Sequence, residues 1–292
     1  DDNLPFENAG VLKTTGFELQ AKWSDKLSNG FAYSVGVALS DDKAEVLSYP
    51  SNPTNKIGDG VLYKGYTVGD IWGYETGGIL QESDFDGVGP NGKPLYHGAY
   101  FKGGQPYPGY VWYQDLDHDG VITSGLSTVD DPGDKKVIGN NAPRYRYNIT
   151  ANFQYKGFDL DLMFQGVGKR DYWLKDVSSY WGGGAGSWET YNQSWTPERT
   201  DAKFPMYGSG IGSYAQSGYL LDASYIKLKQ VILGYTFPKA LIGKVGLEKL
   251  RLNIAAYNLF TLSDVPKYYD SDYLSDAYPP KRTFSVGIQV GF

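Results

Sequence analysis

Seven stretches of the chain alternate apolar and polar side chains with a period of two, the pattern of a strand with one apolar and one polar face. Phe17, Leu19, Ala21 and Trp23 alternate with Glu18, Gln20, Lys22 and Ser24. Phe31, Tyr33, Val35, Val37 and Leu39 alternate with small residues such as Ser34, Gly36 and Ser40. Tyr145, Tyr147, Ile149, Ala151, Phe153 and Tyr155 alternate with Arg146, Asn148, Thr150, Asn152 and Gln154, and Phe158, Leu160, Leu162 and Phe164 with Asp159, Asp161, Met163 and Gln165. The sets Val231–Leu233–Tyr235–Phe237, Leu250–Leu252–Ile254–Ala256 and Phe284–Val286–Ile288–Val290–Phe292 complete the series.

The connections between these strands alternate strictly between short and long. The short ones are the segment from Asp25 to Gly30, the Lys156-Gly157 turn, and Pro238 to Lys249, which has room for one helical turn through Ala240, Leu241 and Ile242. The long ones are residues 41–143, residues 167–221 and the stretch from Thr261 to Arg282, far beyond the usual loop of a compact domain. In an up-and-down antiparallel sheet this puts every short turn at one end and every long loop at the other, as in outer-membrane barrels. A soluble β-sandwich shows the same one-sided alternation. Two features favour the barrel. Aromatics stand at the ends of the apolar bands (Trp23, Tyr145, Tyr155, Phe237 and Phe292), as in an interfacial girdle, and the opposite faces carry the Arg, Asn and Asp of a wet lumen. On this reading Tyr145, Ile149, Phe153, Leu160, Leu162, Leu233, Leu252, Ile254, Val286 and Ile288 face lipid. Arg146, Asn148, Asn152, Asp159, Asp161 and Gln289 face the lumen.

Composition agrees with an all-β chain. Among 292 residues there are 26 Tyr and 38 Gly but only 2 Met, a profile of strands and turns. No cysteine is present, which excludes disulfides and thiolate chemistry. Two histidines, His97 and His118, do not furnish a multi-histidine metal site, and a net charge of −6 argues against a nucleic-acid partner. No apolar run is long enough for a transmembrane helix, and the opening DDNLPFENAG lacks the basic and apolar regions of a secretory leader.

The sharpest local motif is Asp115-x-Asp117-x-Asp119-Gly120-x-Ile122. Carboxylates at alternate positions followed by Gly match the first half of a calcium loop, with the Val121 carbonyl as the next ligand. Leu126 stands where an EF-hand has its bidentate Glu, so the shell would be completed from Asp130, Asp131 or Asp134; the alternative is a solvated acidic turn. Both histidines read as surface residues. The long loops are dense in aromatics, and Trp72, Tyr74, Trp112, Tyr113, Trp181, Trp188 and Trp195 are candidates for contacting sugars or peptides, most rings in such loops being packing residues. Enzyme signals are poor. No Ser-His-Asp set is plausible, the Gly-rich run from Trp181 to Ser187 lacks the lysine of a phosphate loop, and a glycosidase carboxylate pair has no sequence signature here. The expectation is a protein that is not an enzyme, that requires no cofactor, and that has a possible calcium site.

Seven runs occur in order: NAGVLKTTGFEL, TGGILQ, YQDLDHDGVI, YKGFDLDLMFQGVGKRDYW, LDASYIKLKQVILGYTFP, LRLNIAAYNLFTL and YPPKRTFSVGIQVGF. Together they resemble the C-terminal part of the SusC-like TonB-dependent transporters, the outer-membrane nutrient importers of Bacteroidetes. The final residues resemble a barrel-assembly signal formed by Ser285, Gly287, Val290 and Phe292. The resemblance implies the last seven strands of a 22-stranded transmembrane barrel, with residues 41–143 and 167–221 as extracellular loops. It implies import of a glycan, oligosaccharide or peptide, a SusD-like lipoprotein partner, and energy coupling by the TonB complex through a plug. Plug and remaining barrel are expected outside these 292 residues, since seven strands with two open edges are not viable in lipid. The alternative is a soluble carbohydrate-binding β-sandwich.

Overall fold

The computed structural model describes residues 10–173, 191–209, 214–265, 270–274 and 280–292. Seven long strands form one antiparallel sheet in chain order: β1 (Val11–Lys26), β2 (Ala32–Ser48), β3 (Arg144–Tyr155), β4 (Phe158–Lys169), β5 (Tyr225–Thr236), β6 (Lys249–Ser263) and β7 (Thr283–Gly291). These are the seven alternating stretches, each extended beyond its clearest pattern. The turn after β3 is Lys156-Gly157, both with positive φ, which suits a tight hairpin with Gly at its second position. The β5–β6 connection contains a short α-helix, α1 (Lys239–Ile242), followed by a 3-10 turn at 243–245, where the length of the connection left room for a helical turn.

Register decides which side chains share a face. Phe153 lies opposite Tyr33 and Leu160; Leu160 opposite Leu233; Leu233 opposite Ile254; and Ile254 opposite Val286. This apolar row crosses six strands. One residue along each strand, the face is polar: Asn148 is opposite Ala38 and Gln165, Asn152 opposite Ser34 and Asp161, and Arg251 opposite Gln289. The apolar face is open. Ile254 is 56% exposed and Val286 76%, with Trp23, Phe158, Leu233, Phe284 and Ile288 also exposed. A sandwich would bury these residues under a second sheet. Among the described residues every other sheet has two short strands. At the short-turn end the same face carries an aromatic band in which Phe31 stacks near Tyr33 and Phe153, and Tyr235 packs on Phe158 and Phe237.

The polar face is held by ion pairs. Arg251 donates to both oxygens of Asp159, a bidentate geometry. Gly234 lies beneath this pair; a Cβ there would meet the Arg251 guanidinium and the Asp159 carboxylate. Farther along, Arg144 pairs with Asp41 and Arg146 with Asp42. These pairs explain why β2 continues to Ser48 when its alternation fades after Ser40: the neighbouring strand neutralises its two aspartates. The first long connection therefore starts at residue 49 instead of 41. Likewise β4 extends to Lys169, past the boundary expected at 167.

The Lys227 ammonium on β5 is the most enclosed charge of the sheet, with 2% of the residue exposed. It donates to Asp270 at 2.9 Å and Asp272 at 2.8 Å, both in the connection between β6 and β7. Lys229 reaches Asp272 at 3.2 Å, and the Tyr225 hydroxyl donates to the same carboxylate. Burial opposes ionisation of Asp272, but the Lys227 ammonium, the Tyr225 hydroxyl and the Lys229 charge hold its pKa below the ordinary carboxylate value.

The described parts of the chain group into two compact units. One comprises Thr15–Lys43, Pro143–Arg170 and Asp222–Phe292; the other Asp1–Thr14, Ala44–Ala142 and Asp171–Leu221. The second unit is built largely from the first two long connections and has its own cores. Tyr74, Val111, Tyr113, Ile122, Trp173 and Tyr219 form one, and Val46, Ile57, Tyr63 and Tyr66 the other. Short strand pairs frame them: Asp70–Tyr74 with Lys135–Asn140, and Thr76–Ile79 with Val111–Tyr113.

Two outcomes are expected in the full-length protein. Ile254→Arg should cost about 2–4 kcal/mol in folding into lipid vesicles, whereas Asn148→Ser should cost well under half of that; urea titration of vesicle-folded protein measures both. The attachment of residues 270–274 should weaken in acid. Since the folded pKa of Asp272 is depressed, its contribution is complete above about pH 4 and is lost as pH falls through the folded value. Hydrogen exchange of this segment at pH 6 and pH 3, corrected for intrinsic rates, should show lost protection only at the lower pH, and Lys227→Met should abolish the difference.

Candidate functional site

Three features of the molecule can meet a solute. The first is the polar face of the sheet. It encloses a concavity of about 700 Å³ lined by Glu18, Gln20, Arg146, Asn148, Gln165 and Arg170 among others. Charges of both signs and amides make it a wet surface suited to polar solutes. The expected lumen residues Arg146, Asn148, Asn152, Asp159, Asp161 and Gln289 all fall on this face by register.

The second is the acidic loop. Carboxylate oxygens of Asp115, Asp117 and Asp134 lie within 4.8 Å of one another. Gly120, at φ +86°, makes the sharp turn, and its N–H donates to Asp115 Oδ2 at 2.8 Å. The Asp119 carboxylate turns to the Val121 N–H at 2.8 Å, outside the trio. Val121 itself lies in a two-residue strand parallel to Tyr100–Phe101. Asp134 is fully buried and accepts from the N–H groups of Leu116 and Thr123, both at 2.7 Å. It comes in from the far end of the loop. Its sequence signal was only that it is one of three later aspartates. Asp115 Oδ1 is shielded and has no hydrogen-bond partner. Burial opposes ionisation of Asp115, yet the N–H groups of Gly120, His118 and Asp119 hold its pKa down. The Asp119 N–H favours the Asp117 carboxylate, but burial and the neighbouring Asp119, Asp134 and Asp115 outweigh it, and its pKa is raised. Three crowded carboxylates with one unpaired oxygen form an oxygen-only donor set that fits a hard divalent cation. His97 pairs with Asp86 on the surface, and exposed His118 adopts a positive φ.

The third feature is the aromatic population of the loop unit. Tyr74, Tyr113 and Trp195 are buried in its interior. Burial raises the Tyr74 hydroxyl to about 12 and that of Tyr113 further. Trp195 Nε1 donates to Gln81 at 2.9 Å, and half-buried Trp72 donates to the Tyr63 hydroxyl at 2.9 Å. The Trp112 ring lies over Gly77, where any Cβ would collide with it. Trp112 and Tyr113 also line a cavity of about 290 Å³ together with Tyr96, Phe101, Tyr110 and Ser209. Trp181 and Trp188 lie outside the described residues. Of the assembly-signal residues, Ser285 and Gly287 fall on the polar face opposite Ala255 and Asn253, Val290 lies opposite Leu250 on the apolar face, and Phe292 is exposed at the end of the outer strand β7.

No family model matches the chain. Curated relatives do. TonB-dependent receptor P3 of Formosa agariphila is 27% identical over 314 aligned positions, covering 98% of this chain and 29% of the relative. TonB-dependent receptor SusC of Bacteroides thetaiotaomicron is 26% identical over 63% of this chain and 19% of its own length. The chain thus spans about three-tenths of the relatives it matches end to end. Among solved structures, the RagAB peptide transporter superposes with a TM-score of 0.71 at 18% identity, over 98% of this chain and 30% of that one. Its "closed-closed" state gives 0.68. Over nearly its whole length the chain is similar to TonB-dependent receptors of Formosa agariphila, over 63% of its length to SusC, and it carries the fold of a stretch of the RagAB peptide transporter.

Proposed function

We propose that this chain supplies barrel wall and extracellular loops to an energy-coupled outer-membrane importer of an oligosaccharide or peptide nutrient. The observation that carries this reading is the polarity of the seven-stranded sheet: its apolar face is open and its charged face is internally paired. Such a sheet is matched to lipid on one side and water on the other. The free edges of β1 and β7 would pair with strands of the rest of the receptor. Its plug would receive the pull of the TonB complex, and a SusD-like lipoprotein would cover the loops. Homology to SusC and likeness to RagAB support this division of labour.

Within the loop unit, we propose that Asp115, Asp117 and Asp134 hold a calcium ion, with Asp119 and Val121 shaping the turn. The cation would relieve the repulsion that raises Asp117 and would occupy the unpaired Asp115 oxygen. It would tie the two ends of the loop, residues 115–121 and Asp134, to each other. Its role is structural and no catalytic step is assigned to it.

The import reading is tested by fractionation and uptake in the native host. The receptor should sediment with detergent-insoluble outer membranes. Its deletion should abolish uptake of either labelled oligosaccharides or labelled peptides, and a protonophore should mimic the deletion. Recovery in the soluble fraction, or unchanged uptake of both solute classes, would contradict it. For the cation, terbium luminescence of the full receptor should rise saturably and be displaced by calcium, and Asp115→Asn should weaken binding at least tenfold. An unchanged titration in that variant removes the site.

A further inference from the structure

At the short-turn end of the sheet the charge changes sign. The three short connections and the strand ends beside them, residues 25–31, 156–157 and 238–249, contain five lysines against two carboxylates, Asp25 and Glu248, in a chain whose net charge is −6. The lysines are Lys26, Lys156, Lys239, Lys244 and Lys249, all of them exposed. Arg144, Arg146 and Arg251 on the polar face each have a carboxylate partner. Among the described residues none of the five lysines forms an ion pair. Four of them stand beside the aromatic ends of the apolar bands. Lys26 follows Trp23 by three residues, Lys156 follows Tyr155 directly, Lys239 follows Phe237 by two, and Lys249 lies opposite Gly291, the neighbour of Phe292. The Lys156 ammonium lies 5.1 Å from the centroid of the Tyr155 ring, and Tyr155 shares the apolar face with Phe158 and Tyr235. In α1, Leu241 is 59% exposed between Lys239 and Lys244, while the neighbouring Ile242 is buried.

We propose that Lys156, Lys239 and Lys244 bind the phosphates of anionic phospholipids in the periplasmic leaflet. Lys26 and Lys249 fall on the polar face by alternation and add to the local positive potential. The inference rests on the reading of the open apolar face as lipid-facing. The short turns of such a barrel lie on its periplasmic side. Interfacial aromatic rings sit at headgroup level. A lysine stem lies along apolar surface while its ammonium reaches out to the polar layer. The ammonium groups thus stand where phosphates do, and the protein supplies no counter-charge of its own to most of them. A phospholipid answers both parts of this surface. Its phosphodiester meets the lysines, and its acyl chains cover Leu241 and the apolar band beside them. Free phosphate or glycerophosphate lacks that second contact and would be held only weakly by exposed ammonium groups in water.

The test uses the full-length protein, with any cysteine outside this chain replaced by serine, in phosphatidylcholine vesicles containing a minor fraction of phosphatidylglycerol. A bimane label on Leu241→Cys reports the short-turn end, and one on Ile288→Cys, in a separate variant, reports the apolar face. Quenching by phosphatidylglycerol with a nitroxide near the top of its acyl chain is compared with quenching by phosphatidylcholine labelled in the same place. At Leu241 the anionic lipid should be enriched at least about fivefold over its fraction in the bulk membrane, the effect of one lysine at a charged surface. The preference should be lost in the triple variant Lys156→Gln, Lys239→Gln, Lys244→Gln, whose heat-modifiable mobility reports an intact barrel, and should weaken at high salt. It should survive Lys93→Gln, an exposed lysine of the loop unit, and an excess of soluble glycerophosphate. Equal quenching by the two lipids, a preference unchanged in the triple variant, or its removal by glycerophosphate overturns the inference. If neither lipid quenches the Leu241 label while both quench the Ile288 label, the headgroup site is wrong and the lipid-facing reading stands. If neither quenches the Ile288 label, the lipid-facing reading itself fails, and the inference with it.

Discussion

The structure depends on one inversion of the usual rule for soluble proteins. The seven-stranded sheet turns its Leu, Ile, Val and aromatic side chains outward and keeps its Asp, Arg and Asn on the other face, where they neutralise one another. In water this arrangement would be unfavourable twice over, exposing apolar area and enclosing charge. Against lipid the open apolar face costs nothing, and every backbone hydrogen bond between neighbouring strands is already made. The strands run from 9 to 17 residues, at or beyond the roughly 9–11 needed for a tilted crossing of the hydrocarbon layer. The surplus on β2 and β6 extends past the apolar band.

Once the sheet fixes its ends, the long connections need a different source of order. A flexible segment of such length could not stay folded on turns alone. The first two long connections solve this with small cores made largely of tyrosine and tryptophan, whose rings bury area while their hydroxyl and N–H groups find partners, as Trp72 does with Tyr63 and Trp195 with Gln81. The third is held differently, by lysines of β5 reaching the aspartates at 270 and 272. Hydrophobic burial and charge pairing thus divide the loops between them.

Much of this was legible in the residues. Period-two alternation located all seven strands, and the alternation of short and long links fixed their order. Where the reading stopped early, a pairing partner distant in sequence was the cause. Asp41 and Asp42 look like the end of a strand until Arg144 and Arg146 are placed beside them. The beginning of β5 was missed because a bulge between Leu228 and Gln230 shifts its phase, so Ile226 and Leu228 do not continue the count from Val231. Asp134 joins Asp115 and Asp117 across a fold of the loop that no local spacing encodes.

The central claim is the direction in which each face points. The chain contributes no cysteine, so single cysteines can be introduced at Val286 and Ile288 on one face and at Asn148 and Asn152 on the other, in the full-length protein with any cysteine outside this chain replaced by serine. Labelling with a water-soluble maleimide in intact outer membranes reads the exposure of each face to water. Strong labelling at Asn148 and Asn152 with protection at Val286 and Ile288, reversed only when detergent replaces the lipid, is the result this account requires. Labelling of Val286 and Ile288 in intact membranes, with Asn148 and Asn152 protected, would contradict it.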